Sequence, residues 1–314
     1  MLAATSITTW HWAGFVGCIL VFLALDLGVF HRKAHVVSFK EALGWTAVWC
    51  SLALLFGLIL APAIVPHWEL KQTVEFITGY VIELSLSMDN VFVIALIFAH
   101  FHVPDQHQHR VLFWGIMGAL IMRGAMIWLG VELIQRFDWL LVALGAFLIF
   151  SGLKMVFTKE KESDPEKNLA VRFTRKFFPV TTEFDGQNFV TRLHGALVLT
   201  PLALVLVLVE TTDLIFALDS IPAIFAVTQD PFIVFTSNVF AILGLRSLYF
   251  VLAGAIQYFR YLKVGLSVVL IFIGFKMVAV KYVHIPTPLS LGVVVLIIAG
   301  SILLSIQATR RKKA

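Results

Sequence analysis

Charge is scarce in this chain of 314 residues: Asp, Glu, Lys and Arg together make up 14% of it, about half the roughly 25% of an ordinary soluble domain. A soluble globule is thereby excluded. Cysteine is scarcer still. Cys18 and Cys50 both fall inside apolar runs and read as reduced, small apolar side chains, so neither a disulfide framework nor a zinc ribbon is available. Met1 to Trp10 carries no basic stretch and no small-residue cleavage site, which predicts that the first apolar run is a retained span and not a signal peptide. What the chain has in abundance is apolar surface, with 60% hydrophobic residues and a mean hydropathy of +0.92. Runs of this length and frequency predict an all-α polytopic membrane protein.

Apolar runs between turn signals place about nine transmembrane helices, near 11–30, 43–65, 76–100, 111–132, 139–156, 195–220, 232–255, 263–281 and 287–307. Ser38 and Glu41 have the spacing of a capping box for the second helix, and Pro104, Pro231 and Pro286 punctuate short connections. With the N-terminus outside and the C-terminus inside, 18 Lys and Arg side chains, from Arg32 and Lys33 to the Arg310–Lys313 tail, fall on cytoplasmic segments, and only Lys71, Arg136 and Lys281 fall outside. That asymmetry is the positive-inside pattern and predicts an N-out, C-in topology. Trp10, Trp12, Trp68 and Trp139 land at the outer interface. The surplus of +5 therefore reads as topology, with no nucleic-acid partner. One long connection, 157–194, mixes acids and bases and reads as a partly ordered, solvated cytoplasmic linker.

Two stretches match at seven of nine positions: Leu148–Val156 (LIFSGLKMV) and Leu270–Val278 (LIFIGFKMV). The match extends upstream, where 119–123 (ALIMR) parallels 242–246 (ILGLR) and 83–90 (ELSLSMDN) parallels 213–220 (DLIFALDS). Spans 3–5 and 6–8 are thus read as two copies of a three-helix unit. An odd number of spans forces the second copy to enter the membrane from the opposite face, so the repeat is inverted, an arrangement that places substrate sites near the midplane between the copies. The organisation expected is two N-terminal helices in 1–72, the first repeat in 73–156, the linker in 157–194, the second repeat in 195–282, and a last helix with a basic tail in 283–314.

Six acids lie inside apolar spans: Asp26, Glu83, Asp89, Glu210, Asp213 and Asp219. Each costs about 2.5–3.5 kcal/mol at a helix centre on insertion scales. Four of them form a repeated pair, Glu83 with Asp89 and Asp213 with Asp219, and six residues of helix separate the members of a pair by about 9 Å along the axis. One helix cannot chelate with both. The expectation is two layers, the upper carboxylates of both copies meeting across the axis and the lower ones lining an approach. Pro222 leaves a backbone carbonyl near Asp219 without its helical donor and is expected to kink the segment. Asn90 and Ser220 add oxygen ligands beside their aspartates. Hard oxygens without a cysteine pair suit Mn²⁺, Mg²⁺ or Ca²⁺. Arg123 and Arg246, mid-span in both copies, are candidate counter-ions or partners in proton exchange, and pairing with buried acids is their plainer role. Symmetry does not support Glu210, but one turn before Asp213 it can join the same site.

Four histidines and an acid, His100, His102, Asp105, His107 and His109, sit where the third span meets the cytoplasm. Solvated loop residues are the expected reading, an entrance for a transition metal the sharper one. Thr236, Ser237 and Asn238 offer either polar lining or small-residue helix packing.

Segments 83–92 (ELSLSMDNVF), 210–223 (ETTDLIFALDSIPA) and 236–246 (TSNVFAILGLR) resemble the signature segments of the TerC family, and the resemblance runs over nearly the whole chain. It implies a bacterial inner-membrane transporter of the wider LysE-type superfamily, associated with Mn²⁺ export and with tellurite resistance, whose acidic positions carry over onto Glu83, Asp89, Glu210, Asp213 and Asp219. The expected function is secondary export of a divalent metal in exchange for protons, with the metal as transported substrate, no permanently bound cofactor and no enzymatic step. The expected partners are the bilayer and the metal, and a homo-oligomer is compatible. Two other readings stand beside it: a membrane scaffold or assembly factor acting through the 157–194 linker, and an intramembrane aspartyl protease in which Asp89 and Asp219 share a proton.

Overall fold

The computed structural model describes residues 7–25, 38–157, 168–193, 195–253, 261–283 and 285–313. Asp26, Arg32 and Lys33 lie outside them. The helices are α1 (Thr9–Leu25), α2 (Phe39–Leu55), α3 (Ala61–Ile64), α4 (Leu70–His100), α5 (Asp105–Arg136), α6 (Asp138–Phe157), α7 (Leu169–Phe177), α8 (Pro201–Phe225), α9 (Pro231–Ala253), α10 (Leu262–Val278) and α11 (Thr287–Lys313). Among the described residues, seven helices are long and apolar enough to cross a membrane: the continuous Phe39–Ile64 helix, α4, α5, α6, α8, α9 and α11. Thr9–Leu23 is a shorter apolar helix. Large side chains such as Ile121, Trp128 and Leu296 stay exposed on their flanks, a surface that water would not tolerate over so many helices and that hydrocarbon solvates. The protein is a helical, multi-pass integral membrane protein.

Local chemistry sets several helix ends. Ser38 accepts from the backbone N–H of Glu41 at 3.3 Å, the capping bond expected at the start of α2. Pro201 opens α8 and Pro231 opens α9, positions where a missing N–H costs nothing. Between α2 and α3 the helix widens into a π turn, Phe56–Leu60. There the Thr73 hydroxyl donates to the Gly57 carbonyl at 3.1 Å while the Trp68 indole N–H donates to Thr73 at 2.9 Å. Trp68 is therefore buried in the aromatic core with Phe56, Phe76 and Phe232, and does not face the interface as its position in the sequence suggests. Pro222 does not end α8, which runs on to Phe225.

The span expected at 195–220 begins later, at Pro201. Residues 190–193 and 196–199 form an antiparallel hairpin, β1 and β2, with Val190 opposite Leu199. The described part of the 157–194 linker is accordingly folded: α7, then β1, with Phe184 and Phe189 packed on the cluster that includes Val103, Leu202 and Tyr249.

The two matched segments of the sequence lie against each other. α6 and α10 cross so closely that a Cβ on Gly274 would come within 2.6 Å of the Gly145 carbonyl oxygen, and one on Gly152 within 2.8 Å of the Ser267 carbonyl oxygen. The early part of α6 thus meets the late part of α10 and vice versa, so the helices run antiparallel.

Candidate functional site

Arg123 on α5 organises the polar interior. Its side chain is 2% exposed, and burying a guanidinium is tolerable only when carboxylates surround it. Nε donates to Asp213 Oδ2 at 3.0 Å and Nη2 to Asp213 Oδ1 at 2.7 Å, a forked pair with α8. Nη1 pairs with Glu83 on α4 and reaches Ser220 and Asn238 at 3.4 Å each. Ser87, one turn after Glu83, donates to the same carboxylate oxygen at 3.4 Å. Asn90 donates to Asp213 Oδ1 at 3.4 Å.

Glu83 and Asp213, which occupy equivalent places in the two sequence copies, come together through the guanidinium and not directly. Glu83, Asp89, Asn90, Asp219 and Ser220 line one narrow cleft, with Leu86, Met155, Phe216 and Leu270 as its apolar walls. Asp219 is held by the Ser151 hydroxyl of α6 at 2.8 Å, and Lys154, one turn further along α6, is near enough to act on it electrostatically.

Polar atoms left unsatisfied show what the cleft can accept. Glu83 Oε2 and Asn90 Oδ1 are buried without a hydrogen-bond partner among the described residues. Asn90 turns its NH₂ toward Asp213, which fixes its carbonyl oxygen as the free end. Two orphaned acceptors lining one cleft with two further carboxylates make an oxygen-rich setting suited to a hard cation. No three His, Cys, Asp or Glu side chains among the described residues stand close enough together to hold an ion by themselves. Any cation here takes amide, hydroxyl or water oxygens as well.

Other expected residues stand apart. Arg246 meets His109 across 3.0 Å between Nη1 and Nε2, so the two arginines of the repeat have different surroundings. Glu210 does not line the cleft; it lies against α5 at Gly118, where a Cβ would collide with its carboxylate. His107 is buried near the Phe184 ring and His109 is tied to Arg246, so neither is the solvated loop residue expected. Thr236 and Ser237 donate to backbone carbonyls of their own helix at 2.7 and 3.2 Å, the packing role, while Asn238 alone reaches the site. Ser151 and Ser87 were missed. Ser87 stands one turn from Glu83, and Ser151 is a polar residue in the repeated segment where the second copy has Ile273; both signals were legible.

Residues 68–313 match the family described as integral membrane protein TerC family. The chain is 53% identical over 301 residues to a membrane protein of Myxococcus xanthus, covering 95% of this chain and 92% of that one. It is 48% identical over 294 residues to an Escherichia coli K12 protein named membrane-bound redox modulator Alx, covering 90% of each. A Salmonella typhi protein of the same name is 47% identical over 294 residues. No solved structure matches. The chain belongs to the TerC family of integral membrane proteins.

Proposed function

We propose that this chain is a secondary transporter that exports a divalent metal ion, chiefly Mn²⁺, from the cytoplasm in exchange for protons, with nine spans, N-out and C-in, in the bacterial inner membrane. The observation that carries the reading is the cleft. Carboxylates from both sequence copies, Glu83 and Asp89 on α4 and Asp219 on α8, line it together with Asn90 and Ser220. An ion shedding water finds oxygen ligands of several kinds, the preference of Mn²⁺ and not of softer metals. The antiparallel crossing of α6 and α10 supports the inverted repeat, because the contact of Gly145 with Gly274 has its counterpart in that of Gly152 with Ser267. Such a pair of units can rock about the site and expose it to either face in turn.

Arg123 supplies the exchange logic. In the empty site it neutralises Glu83 and Asp213; a cation taking up Glu83 Oε2 competes with it for that carboxylate. Protons arriving at the remaining acids restore the balance on the return step. Direction and metal choice rest on the family resemblance.

The deciding experiment is metal flux in proteoliposomes under a set pH gradient, with Mn²⁺, Mg²⁺ and Ca²⁺ compared. Mn²⁺ movement that collapses the gradient, and that is lost in both Asp89→Ala and Asp219→Ala, is the expected result. Undiminished flux in both variants overturns the site, and the absence of flux of any of the three metals overturns the function.

A further inference from the structure

Outside the transport cleft, α7 presents Leu169, Phe173 and Phe177 as an exposed apolar face. Its one buried edge, Val171 with Thr174, is seated in the cluster that includes Leu202 and Val205 of the first two turns of α8. α8 has 25 residues, a length of roughly 37 Å at 1.5 Å per residue. That exceeds the roughly 30 Å of hydrocarbon in a bilayer, so a helix of this length crosses with its ends, the Pro201 end included, at the headgroup level. α7 is thereby fixed at interfacial depth.

Two further faces complete this helix. Leu169, Phe173 and Phe177 are 78%, 64% and 58% exposed, and the two rings meet at a tilt with 4.5 Å between centroids. At 100° per residue these three fall within one arc, and Arg172, Arg175 and Lys176 fall within the neighbouring one. Lys176 bends over the Phe177 ring at 5.8 Å. Large apolar rings beside a basic stripe, on a helix held at the level where acyl chains give way to phosphates, have one partner that satisfies both faces.

We propose that α7 is a binding site for anionic phospholipid, its Leu169, Phe173 and Phe177 face sunk among acyl chains and Arg172, Arg175 and Lys176 on the phosphates. The site couples lipid charge to the linker that joins the two repeats. Each neutralised base weakens the docking by about fivefold, the worth of one basic side chain near an anionic surface.

The test uses the full chain with Cys18→Ser and Cys50→Ser, nitroxide-labelled at Phe173→Cys or Phe177→Cys. It is reconstituted in nanodiscs of phosphatidylcholine alone or with phosphatidylglycerol. Phe150→Cys, on the exposed flank of α6, reports correct insertion in every sample. The expected result is a label on α7 that collides with oxygen more than with a water-soluble nickel chelate in phosphatidylglycerol discs. It should shift toward the chelate in neutral discs and on combined Arg172→Gln, Arg175→Gln and Lys176→Gln substitution. A chelate-accessible label in both lipids overturns the proposal. So does indifference to lipid charge, and so does dipolar broadening between labels, which would assign the face to a second copy of the chain.

Discussion

Arg123 holds Asp213 in a two-point grip, Nε to Oδ2 at 3.0 Å and Nη2 to Oδ1 at 2.7 Å, and with its third nitrogen pairs with Glu83. One guanidinium thus ties α5, α4 and α8, and it joins acids that occupy equivalent places in the two sequence copies. A lysine offers a point charge without the planar fork, so it can serve one carboxylate well but not both.

Arg123→Gln leaves two buried carboxylates without their cation, and breaking a buried pair this way costs about 3–5 kcal/mol. The expected outcome is a large drop in thermal stability in detergent, with Arg123→Lys recovering part of it and little transport. Added Mn²⁺ should stabilise the Gln variant more than the parent, since Glu83 no longer has a competing partner. Equal metal-dependent shifts in unfolding temperature would refute the competition.

Ser151→Ala removes the hydroxyl that holds Asp219 at 2.8 Å. The carboxylate keeps its place in the cleft but loses a hydrogen bond worth about 1 kcal/mol, more when the acceptor is charged. Mn²⁺ uptake into vesicles should show a raised half-saturation concentration with the fold intact, and Ser151→Thr should restore it. Identical concentration dependence for Ala and parent would show that Asp219 needs no anchor.

Much of this site could be read from residue order alone. Charges inside apolar runs are costly wherever they point, so Glu83, Asp89, Asp213 and Asp219 announce themselves, and the repeated LIF-G-KMV pattern marks two helices that turn out to touch. What residue order could not convey is rotation about each helix axis. Arg123 and Arg246 occupy matching positions, yet Arg123 ties Glu83 to Asp213 while Arg246 has His109 among its partners. Glu210 stands one turn from Asp213 yet turns toward Gly118. Hairpin β1–β2 was hidden for another reason: Ala196–Leu199 is as apolar as the helix that follows, and only Pro201 marks where helix begins.

Gly274→Ala puts a methyl group 2.6 Å from the Gly145 carbonyl oxygen and 2.9 Å from the Ile149 backbone nitrogen. Backbone cannot rotate away, so α6 and α10 must separate. Overpacking of this kind costs about 1–3 kcal/mol. Gly244→Ala is the contrast: its Cβ would meet only the Trp49 Cβ at 3.7 Å, and alanine gains about 0.8–1 kcal/mol of helix propensity. Thermal unfolding of the two variants should move in opposite directions, and a shared direction would contradict the tight crossing.

Glu75 is 7% exposed near the start of α4. Thr228 in the α8–α9 turn is near enough to act on it, as are Lys276 of α10 and Lys71, with Asp230 as the opposing charge. Lys71 is 3.9 Å away and itself largely exposed, so the buried ties are those to Thr228 and Lys276. They fasten the first copy of the repeat to the second, at the end of the bundle where α8 turns into α9. Glu75→Ala should leave Lys276 short of a countercharge and open a gap beside Thr228, loosening that end by about 1–3 kcal/mol. Hydrogen exchange in residues 226–230 should accelerate while exchange around Arg123 stays slow. Exchange in the turn that is no faster than in the parent would mean that packing of Phe225 and Phe232, and not Glu75, holds the two copies together there.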